Sequence, residues 1–349
     1  MTRNLTDLDP KKILVCQLKQ IGDVVLATPA IRMLKERWPG ADISVLTEKR
    51  SAPMLANNPN ISKIWAIDKK VLRNFFKALA WYWKVGRQGY DLVVDFQQLP
   101  RCRFVVAFSR APVRLTYPPP LYNRLWYTDW IRPLDGYSAM SKASLLRALG
   151  LEYRDERPEI FITDQEKSRA REFLAERGVE DGHTLVTADV THWDETRRWP
   201  AEYYGELMNL TAEVRPDVRF LLLYGPGERD TAEEVFAAAN RKNCLHPEDV
   251  HDLRMVAALI ERADLHIGNC SAPRHFAVGV GTRSMIIMGG SSQSWMFPSP
   301  EHNQIYLDLE CQPCKQRPCP RGDLACLREF TPGLVLRHFR KNLPPAKTP

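Results

Sequence analysis

Short runs of consecutive apolar residues alternate along this chain with longer stretches in which apolar positions recur every three or four residues. Residues 12–16, Lys-Ile-Leu-Val-Cys, form a run too short for a helix, and they are read as a buried strand. A loop and a periodic segment over 24–37 follow, predicting a helix that ends at Trp38-Pro39-Gly40, because Pro cannot continue a helix and Gly permits the turn. Residues 42–47, 61–67 and 91–96 are predicted strands, with a helix over 71–86 between the last two. Strands separated by helices of this length argue for βαβ units and a mostly parallel sheet.

The rhythm breaks at a Pro-rich stretch, 112–133, read as loop. It resumes with a helix over 138–149 and a strand over 159–163, then starts afresh. Helices are predicted over 164–176, 201–214, 230–240 and 253–262, with strands over 184–188, 218–224, 264–268 and 284–288 and a short helix after Pro273. The pattern predicts two α/β domains, 1–163 and 164–349, with a C-terminal tail free to cross back. Two such domains facing one another would place a ligand cleft between the C-terminal ends of their strands.

Composition narrows the class. The 349 residues are 44% apolar and 26% charged, which excludes a disordered chain, a collagen-like fibre and a disulfide miniprotein. Lys19 cuts short the apolar run that would serve a secretory leader, and no stretch reaches ~18 apolar residues, so a cytoplasmic protein is expected. The net charge of +7 is modest; its placement says more. Between Arg101 and Thr128 five arginines occur with no acid, among Phe104, Phe108, Tyr117, Tyr122, Trp126 and Tyr127. Just upstream, Lys69, Lys70, Arg73 and Lys77 interleave with Phe75, Phe76 and Trp81. Guanidinium forks suit phosphate and amphipathic rings suit a lipid–water boundary, although a solvated helix face over core aromatics has the same composition.

Four segments are candidates for chemistry. Gly268-Asn269-Cys270-Ser271-Ala272-Pro273-Arg274-His275 joins a strand to a helix. Small residues there admit a ligand to the backbone, and a helix N-terminus is a ready anion site; an ordinary turn with a capping Ser fits the pattern too. Gln20-Ile21-Gly22-Asp23 follows the first strand and places a carboxylate at a helix start, as a general base or simply as a helix cap. Thr196-Arg197-Arg198-Trp199-Pro200 offers two guanidiniums for a diphosphate leaving group, or a solvated basic turn. Glu228, after Tyr224-Gly225-Pro226-Gly227, is a ribose contact or a turn residue. No Walker A or dinucleotide-binding glycine pattern occurs.

Together these residues carry a resemblance. Lys12-Ile13-Leu14-Val15, Ile21-Gly22-Asp23-Val24-Val25 with Thr28-Pro29-Ala30, Arg197-Arg198-Trp199-Pro200, and Ala263-Asp264-Leu265 through His275-Phe276-Ala277 resemble, in order and spacing, the motifs of the ADP-heptose:lipopolysaccharide heptosyltransferase family, glycosyltransferase family 9. The resemblance implies a GT-B fold: two Rossmann-like domains facing a central cleft, acceptor on the N-terminal one and nucleotide-sugar on the C-terminal one. It implies inverting transfer of heptose from ADP-heptose to the lipopolysaccharide inner core or a lipid-linked acceptor, at the inner face of the cytoplasmic membrane. By position, Asp23 would be the base and Arg197 the phosphate-facing cation; Cys270, Ser271, Ala272 and His275 would line the diphosphate and sugar, with Glu228 on the ribose. No cofactor and no catalytic metal are implied.

Two positions depart from the family pattern: Cys270 stands where it has Asp, and Arg197 where it has Lys. Cys cannot supply a carboxylate's acceptor-only charge, so the alternatives are a different nucleotide-sugar in envelope glycan synthesis or a non-catalytic glycan-binding relative. The basic aromatic stretches would give a peripheral membrane contact. Nucleic-acid binding has no recognition motif to support it and is not expected. Cys311, Cys314, Cys319 and Cys326 have the chemistry of a structural zinc or iron–sulfur site, but their spacing matches no zinc-finger pattern.

Overall fold

The computed structural model describes residues 5–239, 242–247 and 251–347, and the predicted helix end at 240 lies outside them. The chain divides into two compact units, Met1–Phe161 and Ile162–Pro349.

The first unit is a parallel sheet wrapped by helices. Its elements run β1 (Lys12–Cys16), α1 (Ile21–Val25), α2 (Thr28–Arg37), β2 (Asp42–Glu48), β3 (Lys63–Ile67), α3 (Phe75–Gly86), β4 (Leu92–Asp95), α4 (Pro100–Ser109), β5 (Val113–Thr116), β6 (Asp129–Trp130) and α5 (Ser138–Ala143). The strand order is β3-β2-β1-β4-β5-β6, every pairing parallel. Both faces of β1 are buried: Ile13 and Val15 pack on one side, Leu14 and Cys16 on the other. That is why the strand reads as a continuous apolar run rather than an alternating one.

Several predicted elements differ. The helix expected over 24–37 is two helices, because Pro29 has no N–H to donate to the carbonyl of Val25, and the Thr28 hydroxyl takes that carbonyl instead at 2.7 Å. The helix expected from 71 starts at Phe75, where Asn74 caps it by accepting the Lys77 amide at 3.0 Å. The stretch read as loop holds β5 and β6. No strand forms over 159–163: this extended segment pairs with α2 through side chains, Glu159 N donating to Thr28 Oγ1 at 2.9 Å and its carboxylate meeting Arg32 at 2.6 Å. Thr163 then caps the next helix in a reciprocal box with Glu166.

The second unit repeats the architecture: α6 (Asp164–Ala175), β7 (Thr184–Asp189), α7 (Ala201–Val214), β8 (Val218–Leu223), α8 (Arg229–Ala238), β9 (Cys244–Leu245), α9 (Leu253–Arg262), β10 (Leu265–Gly268), α10 (Ala272–Val280), β11 (Ser284–Ile287), β12 (His302–Ile305), α11 (Ala325–Arg328) and α12 (Pro332–Asn342). The order β12-β11-β10-β7-β8-β9 is again parallel throughout. The C-terminal tail packs on this unit: Phe339 of α12 stacks on Phe220 of β8 with ring centroids 5.9 Å apart, and the Phe330 carbonyl accepts the indole N–H of fully buried Trp199 at 2.8 Å. The four tail cysteines are free thiols around one small cavity. Among the described residues no group of three or more His, Cys, Asp or Glu side chains is set to hold a metal ion.

Candidate active site

In parallel α/β sheets, chemistry gathers at the C-terminal ends of the strands, where loops are free to vary. In the first unit that edge holds Asp23, third residue of α1. One carboxylate oxygen accepts the Gln20 amide at 3.2 Å, closing a capping box, and the other lies 3.0 Å from the Lys142 ammonium. The lysine is itself buried and also donates to Gln17 Oε1 at 3.1 Å. Asp23 therefore both caps and faces a fixed cation. A carboxylate has about four acceptor sites, and these two contacts leave others for a substrate hydroxyl.

The loop carrying Asp23 is held from the neighbouring strand end. Gln97 Oε1 accepts the amides of Leu18 and Lys19, each at 2.9 Å, and Asp95 accepts those of Gln97 and Gln98 at 2.9 and 3.0 Å and the Tyr127 hydroxyl at 2.6 Å. Asp95 is fully buried, and that desolvation raises its pKa. Burial also raises the Tyr117 phenol, helped by the charges of Asp23 and Asp95, so a protonated phenol stands near the candidate base.

In the second unit the strand ends of β7, β8 and β10 converge. Ser271 occupies the N-cap position of α10 but makes no capping bond, because its hydroxyl donates to the Asp189 carboxylate at the end of β7. The first-turn amides of α10, beginning at Ala272, are thus left uncapped by any side chain, and Pro273 has no amide to satisfy. Asp189 is buried, which pushes its carboxyl up to about 8; the Ser271 bond acts against the shift and the Glu228 charge adds to it. Glu228 holds its own turn, accepting the Thr191 hydroxyl at 2.6 Å and the Gly225 amide at 3.0 Å through one oxygen.

The basic segment is anchored by carboxylate and amide. Asp194, buried, caps the short turn Glu195–Arg197 and pairs with Arg197 Nε at 3.3 Å and Arg317 Nε at 2.7 Å. Burial lowers the pKa of His192, and the nearby Arg197 charge lowers it further. Asn269 fixes the next residues, its Oδ1 accepting the Trp199 amide at 2.9 Å and the Tyr204 hydroxyl at 3.1 Å, while its amide group reaches the carbonyls of Asp189 and Thr191, both at 3.3 Å. Gly268 is needed because a Cβ there would lie 2.7 Å from that of Asp189.

Cys270 and His275 are both buried. The Cys270 sulfur lies 2.8 Å from Arg274, which also reaches the sulfurs of Met288 at 3.8 Å and Met296 at 3.0 Å. His275 meets Trp295 edge-on at 6.1 Å. Lys142, Asp189, Thr191 and His192 are the site residues that sequence reasoning missed. The available signals were a lone Lys on the buried face of a predicted helix and an Asp closing an apolar strand.

The sequence model of Glycosyltransferase family 9 (heptosyltransferase) matches residues 79–325. The chain is 26% identical over 291 residues to lipopolysaccharide heptosyltransferase 3 of Escherichia coli, covering 79% of this chain and 83% of that protein. Among solved structures, the family 9 glycosyl transferase of Veillonella parvula superposes with a TM-score of 0.85 at 20% identity, covering 96% of this chain and 98% of the other. The E. coli ADP-heptose lps heptosyltransferase II gives 0.77 at 19% identity, covering 95% and 98%. These likenesses give the fold, the GT-B architecture with two Rossmann-like halves. Among the described residues no helix is long and apolar enough to cross a membrane.

Proposed function

The chain belongs to glycosyltransferase family 9, the heptosyltransferases, and from that premise we propose that it transfers heptose from ADP-heptose to the lipopolysaccharide inner core with inversion at the anomeric carbon. The N-terminal domain, 1–163, takes the acceptor and the C-terminal domain, 164–349, the nucleotide-sugar. The observation that carries this reading is the diversion of Ser271 to Asp189, which leaves the N-terminal amides of α10 open to an anion. Its relatives supply the donor and acceptor classes: one is a lipopolysaccharide heptosyltransferase, and another an ADP-heptose lps heptosyltransferase.

In the reaction Asp23 takes the proton of an acceptor hydroxyl as its oxygen attacks the anomeric carbon, and the bond from that carbon to the diphosphate oxygen breaks. The leaving diphosphate keeps the electron pair. Arg197 and the amides around Ser271 and Ala272 stabilise its charge, a task fixed dipoles perform without reorganisation. Lys142 holds Asp23 in place, Glu228 accepts from the ribose, and Cys270 and His275 bound the sugar pocket. Because this stabilisation comes from the chain itself, the step calls for no further cation. The enzyme works at the inner face of the cytoplasmic membrane.

A thermal-shift panel of ADP, UDP, GDP and CDP tests the donor. At ~100 times its dissociation constant a ligand adds ~2.7 kcal/mol to the native state, so ADP is expected to raise Tm by several degrees and the others much less. Selective stabilisation by UDP or GDP would move the donor, and no response to any would defeat the transferase reading. Asp23→Ala is expected to lower turnover ~10²–10⁴-fold with the ADP shift intact; retained turnover removes Asp23 as the base.

A further inference from the structure

The second unit brings another guanidinium to the phosphate-facing turn, from far along the chain. Arg317 lies in the tail between β12 and α11, and its Nε sits 2.7 Å from Asp194 Oδ2. Arg197 reaches the same oxygen through its own Nε at 3.3 Å. Two cations therefore share one oxygen of a carboxylate whose side chain is 2% exposed. The other oxygen, Oδ1, is engaged separately, accepting the Thr196 amide at 3.2 Å and the Thr196 hydroxyl at 2.8 Å.

A braced loop delivers Arg317 to this place. Lys315 N donates to the Gly290 carbonyl at 2.8 Å, and Gln312 Nε2 reaches the carbonyls of Met288 and Gly289 at 2.7 and 3.0 Å. Gly290 N in turn donates to the Thr196 carbonyl at 2.8 Å. The tail, the loop after β11 and the turn Glu195–Arg197 leave no room for side chains between them. A Cβ on Gly290 would lie 2.9 Å from Cys314 Sγ, and one on Gly289 would strike the Thr196 carbonyl. The Arg317 guanidinium also lies 4.1 Å from the centroid of the Trp193 ring, a cation–π contact that favours one orientation of its fork.

The balance of charge gives this arrangement a use. A buried carboxylate beside a single guanidinium forms a neutral pair, and Arg197 so engaged would have to leave its partner to meet an anion. With Arg317 closer to Oδ2, Asp194 is already neutralised and the pair of arginines keeps one positive charge in surplus. Among the described residues Arg197 is paired through Nε, which leaves its two terminal nitrogens for a phosphate. The buried His192 imidazole feels the charges of both Arg197 and Glu228, so Arg197 stands beside the donor loops. We infer that Arg317 is a positioning residue for the transfer: it neutralises Asp194 and so frees Arg197 for the donor diphosphate. The inference rests on the proposed donor site and deepens it, adding a tail residue to the groups that manage the leaving charge.

The test is a double-mutant cycle on the full chain, read as the dissociation constant of a nucleoside diphosphate by calorimetric titration. The titrant is whichever of ADP, UDP, GDP and CDP the wild type binds, so the donor assignment is judged on the wild type and this inference on the variants. Arg317→Gln should weaken binding about tenfold, the scale of one charge-assisted hydrogen bond. Asp194→Asn keeps an oxygen for Thr196 and removes the charge; alone it should tighten binding ~2–3-fold. In that background Arg317→Gln should cost ~2-fold or less, and Arg317→Lys, which keeps the charge, should stay within ~3-fold of wild type. A bond that merely holds the tail would move both single variants the same way, because each breaks the same pair, and Asp194→Asn decides this even if Arg317→Gln fails to fold. Binding unmoved by Arg317→Gln, binding weakened by Asp194→Asn, or Arg317→Lys as poor as Arg317→Gln overturns the inference. An undiminished tenfold cost in the Asp194→Asn background also overturns it, since Arg317 would then touch the diphosphate itself. A wild type that binds none of the four nucleotides overturns both the inference and the function on which it rests.

Discussion

Asp189 stores a pH-dependent penalty that replacement by Asn should release. Its side chain is buried at the end of β7 with its carboxyl pushed from 3.8 up to about 8, and it accepts the Ser271 hydroxyl. Between those two values the unfolded chain has released the proton and the folded one retains it. The folded state therefore binds more protons, and stability falls as pH rises. The contribution is fully present below pH 3.8, declines by about 1.4 kcal/mol per pH unit, and is lost above about 8. From 3.8 to 7 the loss is about 4 kcal/mol, with a ceiling of about 6. Asp189→Asn keeps an oxygen to accept from Ser271 and has no proton to lose. The assay is thermal or urea unfolding of both proteins at half-unit steps from pH 5 to 9. The variant's advantage should grow from about 2 kcal/mol near pH 5 to its maximum near pH 8 and then stay flat. At pH 7 the Tm gain should be several degrees. Parallel pH profiles for the two proteins would refute the buried, proton-bearing carboxyl.

Lys142→Met removes the cation facing Asp23 while keeping the buried volume; kcat should fall roughly tenfold or more, short of the ~10²–10⁴ expected for losing the base, with the ADP-induced Tm shift preserved. Steady-state kinetics beside the thermal shift check this. Asn269→Ala leaves the Trp199 amide and Tyr204 hydroxyl without their shared acceptor, so urea unfolding should show a loss of ~2–4 kcal/mol.

The strands were the most legible part of the sequence, because parallel sheets buried on both faces produce short apolar runs between helical periods. The run at 184–188 sits within β7 and the helix over 201–214 coincides with α7. Proline caused one omission: the stretch from Pro112 was read as loop, yet Pro112 immediately precedes β5. Helix α4, which Pro100 opens where no donor is required, had no counterpart in the sequence reading. Of the candidate site, Asp23, Arg197, Glu228 and the 270–275 segment were singled out as loop residues after strands, with their roles taken from the family resemblance. The partners were not, since periodicity assigns a residue to a face but not to a neighbour. Ser271 meets Asp189 across 82 residues only because β10 lies beside β7, and Lys142 meets Asp23 because its helix packs on α2.

The same distinction explains how Cys270 is accommodated where the family pattern has Asp. The loop's shape is set on either side of it: Gly268 lets β10 approach Asp189, Asn269 bonds four partners, and Ser271 reaches the β7 carboxylate. Residue 270 contributes none of these bonds, so its side chain changes without dismantling the turn. What changes is the charge around Arg274, buried and contacted at short range by three sulfurs rather than by a carboxylate. Restoring the acid tests that account. Cys270→Asp would place a carboxylate beside this guanidinium, converting sulfur contacts into a buried ion pair whose Coulombic gain and desolvation cost nearly cancel. Stability should therefore shift by no more than ~1–2 kcal/mol, while the donor sugar that the site accepts should respond, read by competing nucleotide-sugars in the transfer assay. A variant that fails to fold would show that residue 270 shapes the loop after all.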